Sequence, residues 1–157
     1  MHKERQREKL IGEDNFQLVP NEALGIFKLG VGINDYLKLP HKLKHYDYET
    51  FSTDEYEFYR SKVVIWITNE DENKIGTICC TYKCYWKGKN IIGMLFDDFL
   101  QLADTLPDGE SVEYVPTNRD RGQNQTVYEF DKLGLSIWVW RNRVRTVLIT
   151  KYEEGDN

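Results

Sequence analysis

Residues 56–67 read YEFYRSKVVIWI, and residues 128–139 read YEFDKLGLSIWV. Tyr-Glu-Phe, an Ile and a Trp recur in register at an offset of 72. Two further blocks repeat in the same order. GIFKLGVGINDYLKL at 25–39 matches GKNIIGMLFDDFLQL at 88–102 at an offset of 63, pairing Gly25 with Gly88, Gly30 with Gly93 and Asp35 with Asp98. Ile75–Ile78 matches Val144–Val147 at an offset of 69. Three ungapped blocks in one order indicate a tandem duplication. The offset widens by nine between the first two blocks, so the second half is expected to carry an insertion within 104–126.

The repeated blocks alternate. Val63, Ile65 and Ile67 interleave with Val64, Trp66 and Thr68, and Leu135, Ile137 and Val139 with Ser136, Trp138 and Trp140. Period 2 in β-branched and aromatic residues predicts strands at about 55–60, 62–68 and 74–80, then 126–131, 134–141 and 143–151. Thr81–Trp86 and Phe16–Val19 read as further strands. Ile33, Tyr36 and Leu37, and Phe96, Phe99, Leu100 and Ala103, have helical spacing. Pro40 stops the first helix, and Pro107-Asp108-Gly109 turns the chain after the second. The expected fold class is α+β: two pseudo-repeated units, each a helix plus an antiparallel β-meander, sharing one core. Residues 1–24 read as an N-terminal tail and lead-in, 25–151 as one domain of two repeats (about 25–87 and 88–151), and 152–157 as an acidic C-terminal tail.

The 157 residues include 10 Tyr, 7 Phe and 4 Trp, an aromatic load that excludes a disordered chain. The net charge of −5 disfavours nucleic acid as the partner and favours a basic protein. No stretch is apolar enough to span a bilayer, and Met1–Lys9 has no apolar signal region, so a cytoplasmic address is expected. Three cysteines without a signal segment read as reduced thiols. His41, His45, Cys80 and Cys84 match no standard zinc spacing, so neither metal nor cofactor is expected. No nucleophile elbow, P-loop, dinucleotide fingerprint or zincin motif occurs, and the chain does not read as an enzyme. Gly30-Val31-Gly32 reads as a turn, and Asp97-Asp98 as acids suited to a helix first turn.

Two features point to a partner. Trp66 and Trp138, joined by Trp140, lie opposite the Val/Ile/Leu row. They are either core between two layers or an open aromatic face. Acidic segments occur at Glu70, Asp71 and Glu72, and at Asp108, Glu110 and Glu113 within the expected insertion. These six acids and Trp140 are the candidate partner-binding residues, because loops accept added function without disturbing a core.

The composite pattern is Gly25-x4-Gly30 with Asp35-Tyr36-Leu37, then Trp86-Lys87-Gly88-Lys89-Asn90-Ile91-Ile92-Gly93-Met94, then Tyr128 to Val139. Over about residues 25–150 it resembles the small immunity proteins of bacterial contact-dependent growth inhibition and related polymorphic toxin systems. That resemblance implies a cytosolic inhibitor that binds a cognate toxin domain, often a basic nuclease. It assigns no contact residue. The alternative is a sheet-based module for single-stranded nucleic acid, with Arg119, Arg121, Arg141, Arg143 and Arg145 supplying charge, against the overall −5.

Overall fold

The period-2 segments do not form separate meanders; they pair into one sheet. A computed structural model describes residues 16–152. Its strands are β1 (Leu18–Val19), β2 (Ala23–Leu24), β3 (Phe27–Lys28), β4 (His41–Asp47), β5 (Ser52–Phe58), β6 (Val64–Thr68), β7 (Thr77–Cys80), β8 (Tyr85–Trp86), β9 (Lys89–Asn90), β10 (Gly109–Asn118), β11 (Arg121–Phe130), β12 (Leu135–Trp140) and β13 (Arg143–Thr150). Eight of them form an antiparallel sheet in the order β10-β11-β12-β13-β7-β6-β5-β4. Strands β1 to β3 and the pair β8-β9 make two small sheets beside it.

The α+β expectation is therefore corrected: the protein is mostly β. Among the described residues there is one α-helix, α1 (Phe96–Ala103). Ile33–Tyr36 is a single 3-10 turn. It stops there because Leu37, Leu39 and Pro40 follow at once, leaving no room for the four-residue hydrogen bonds of an α-helix. The two halves are not helix-plus-meander units, since the Val147↔Cys80 and Ile149↔Ile78 pairings of β13 with β7 fuse both into one sheet.

What recurs is a pattern of backbone pairing. Trp66 faces Glu55 and Thr77 across the strands, and Trp138 faces Val127 and Thr146. Gly30 N–H donates to Ile75 O, as Gly93 N–H donates to Val144 O; Ile33 N–H donates to Asn73 O, as Phe96 N–H donates to Asn142 O. Gly30 and Gly93 both have positive φ, at 80° and 86°, where a side chain would be strained. The matched glycines thus hold equivalent bends that seat Ile33 and Phe96 against the sheet.

The core lies on one sheet face. Tyr56, Phe58, Ile65, Ile67, Ile78, Phe130, Ile137 and Val147 are buried there. Phe27 of β3 and Phe99 of α1 cover them, with ring centroids 4.8 Å from Phe58 and 5.3 Å from Phe130 respectively. Phe16, Leu18 and Leu24, in the stretch read as lead-in, are also buried. Residues 1–15 and 153–157, the remainder of the two expected tails, lie outside the described residues.

Two strands of the large sheet went unexpected: β4, in a Lys-rich stretch, and β10, in the expected insertion; the short β2, β3 and β9 were not expected either. Strands β4 and β10 are the two edges of the large sheet. Both of their faces are mostly exposed. Neither carries the apolar alternation that marks a half-buried strand.

Candidate functional site

Charge is sorted along the sheet. Following the antiparallel pairings, turns 48–51 and 69–76 fall at one end, which the 131–134 turn and the start of β10 share towards the opposite edge of the sheet. Turns 59–63, 119–120 and 141–142, and the exit of β7 at 81–84, fall at the other end. The first end carries Asp47, Glu49, Glu70, Asp71, Glu72 and Asp108, which outnumber Lys74, Lys132 and Lys151 there. The second carries Arg119, Arg121, Arg141, Arg143 and Arg145, with Arg60, Lys62 and Lys83 close to the same end, against the acids Asp120, Asp97 and Asp98. Equivalent hairpins of the two halves point to opposite ends, so duplicated positions have taken opposite charge: the β6–β7 turn is acidic, the β12–β13 turn basic.

The acids differ in what they hold. Asp71 Oδ2 accepts from Thr68 N–H at 2.8 Å and from Thr68 Oγ1 at 3.1 Å, closing the β6–β7 turn. Asp108 Oδ2 accepts from Asp131 N–H at 2.7 Å, tying β10 to the turn after β11. Both are structural. Glu70 and Glu72 are exposed on the same turn. Among the described residues the ion pairs are those of His45, with Asp54 Oδ1 at 2.6 Å and Asp47 Oδ1 at 2.9 Å. The hydrogen bonds that the protonated ring donates to Asp54 and then Asp47 raise the His45 pKa above its ordinary value. Glu70 and Glu72 therefore present unneutralised carboxylates to any partner approaching this end.

The predicted partner set is split. Glu70, Asp71, Glu72 and Asp108 share the acidic end. Glu110 and Glu113 stand on the edge strand β10, facing Tyr128 and Gln125. Asp108, Glu110 and Glu113 are thus not members of an unstructured insertion; the added residues lengthen the β10–β11 hairpin. Trp140 sits at the opposite end, half-buried, with the Arg141 guanidinium 4.3 Å and the Arg145 guanidinium 5.2 Å from its ring centre.

Trp66, Trp138 and Trp140 lie on the sheet face away from the core, and all three are half-buried. Trp66 Nε1–H donates to Glu55 Oε1 at 3.0 Å. Trp138 Nε1 and Gln125 Oε1 are buried without a hydrogen-bond partner among the described residues. An unmet buried polar atom costs about 1–3 kcal/mol.

The buried thiols are shifted in opposite directions, Cys79 and Cys84 up and Cys80 down through its hydrogen bond with Cys84. Cys79 is pushed up to about 12 by desolvation, with its neighbours Cys80 and Glu55 adding to the effect. Cys84 is held well above the ordinary thiol value by its hydrogen bond with Cys80 and by burial. All three cysteines are free. Among the described residues no group of three or more His, Cys, Asp or Glu is placed to hold a metal ion. No helix there is long and apolar enough to cross a membrane. In comparisons with protein-family models, curated proteins and solved structures, nothing matches the chain.

Proposed function

We propose that the chain is a cytoplasmic, stoichiometric inhibitor of the immunity-protein kind. It binds the toxic domain of a contact-dependent growth-inhibition or related polymorphic effector and performs no catalysis itself. The observation that carries this reading is the acidic end of the sheet, where Glu70 and Glu72 stand exposed and unpaired beside Glu49 and Asp47. A basic toxin meets complementary charge there, which raises encounter rates by about 10- to 1,000-fold in electrostatically steered pairs.

The reading is tested with the C-terminal toxic domain of an effector encoded beside this protein. Titration of that purified domain should abolish its activity at a one-to-one ratio. Full toxin activity in the presence of an excess of folded protein would reject the proposal.

A further inference from the structure

The opposite end of the sheet bears a second, independent surface. We infer that it binds the phosphodiester backbone of single-stranded nucleic acid without sequence preference, by arginines held in place on aromatic rings and a tyrosine exposed beside them. The inference does not depend on the toxin-binding reading.

Three observations converge. The first is an excess of cations: Arg119, Arg121, Arg141 and Arg145 stand exposed on adjacent hairpins and outnumber the exposed acids there, Asp120 in the same turn and Asp97 and Asp98 at the start of α1. None of these arginines makes an ion pair among the described residues. The net charge of −5 argued against this partner, but the acids responsible lie largely elsewhere, and a polyanion responds to the local field.

The second is preorganisation. The Arg141 and Arg145 guanidinium groups both rest on the Trp140 ring. Stacking fixes the planar fork and leaves its N–H edge free for a phosphate, so less side-chain entropy is lost on binding. Lys62 Nζ and Lys83 Nζ lie 4.9 Å and 5.1 Å from the centre of the Tyr82 ring, repeating the device two strands away.

The third is exposed aromatic surface between the cations. Tyr59 is 54% exposed, whereas the Tyr82 ring is taken up by the two lysines. Unstacked bases use an exposed ring, while a duplex keeps its base faces hidden. From β6 to β10 the cationic end crosses five strand spacings, about 24 Å, long enough for a few nucleotides.

The test is fluorescence anisotropy of the full chain with a labelled 15-nucleotide oligo(dU) across a salt series. Binding should weaken with salt, the logarithmic slope being about 0.7 for each phosphate contacted. Arg141→Glu with Arg145→Glu should weaken binding about tenfold or more and reduce the slope by about 1.4, two contacts' worth. Tyr59→Ala should cost roughly fivefold or more, as the loss of one stacked base does. Lys132→Glu with Lys151→Glu makes the same change in net charge at the other end and should change binding less than about twofold. No binding at low salt would overturn the inference. So would equal effects of the two charge reversals, which would mean attraction by overall charge only. Duplex binding as tight as the single strand, or an unchanged affinity in Tyr59→Ala, would overturn the assignment to unstacked bases.

Discussion

His45 shows how one side chain reports on its surroundings. It bridges Asp54 on the neighbouring strand and Asp47 on its own, so the protonated ring is favoured when folded. Its folded pKa is raised above 6.5. The stabilisation from this bridge is therefore fully present below about pH 6.5 and is lost as the pH rises through the folded value. An NMR titration should place the His45 midpoint above 6.5, and Asp54→Asn should lower it; an unshifted midpoint in the wild-type chain would remove the bridge. Gln125 gives a second test. Its residue is 5% exposed and its Oε1 has no partner. Gln125→Met deletes that unmet acceptor at similar volume together with the Nε2–H bond donated to Gln123 Oε1 at 3.0 Å, and the two losses offset, so thermal unfolding should move little. A drop of several degrees would show that the amide is satisfied in solution. Some single residues were legible from sequence alone. The glycines matched at the 63-residue offset mark positive-φ bends because no other residue takes them cheaply. The Asp71 and Asp108 contacts to the backbone were not legible, since a carboxylate in a turn reads as solvated until its backbone donor is placed.

At the level of elements, visibility followed burial. Strands β5, β6, β11, β12 and β13 have one face on the core, and their alternation announced them. The edges β4 and β10 do not, so only their hairpin partners define them. Both edges carry charge where free backbone groups would invite pairing: Lys42 and Lys44 on β4, Glu110 and Glu113 on β10. Pro116 blunts β10 further, next to its register shift at 116–118. Replacing the acids by Glu110→Val with Glu113→Val should promote concentration-dependent self-association, read by analytical ultracentrifugation. Sedimentation matching the wild type at every concentration would show that these acids do not protect the edge. The first helix was overcalled for a related reason. Ile33, Tyr36 and Leu37 satisfy helical spacing, but one turn followed by Pro40 offers no second turn to repeat it.

Over the whole molecule, a duplicated pairing pattern builds a single sheet whose two ends differ in sign. Sequence comparison of the halves exposed the recurrent blocks, yet the charge sorting stayed hidden, because acids and bases alternate along the chain and separate only once strand directions are known. The same geometry divides the partner candidates: Glu70 and Glu72 go to one end and Trp140 to the other. Asp108→Lys is a poor probe of the acidic end, since it also removes the cap on Asp131 N–H. The direct measurement is stopped-flow association with the toxic domain, comparing reversal of each end. Glu70→Lys with Glu72→Lys should slow association by about tenfold at low salt and flatten its salt dependence, while Arg141→Glu with Arg145→Glu should leave the rate unchanged or raise it. Equal slowing by both variants, or none by the first, would contradict an acidic end that receives the partner.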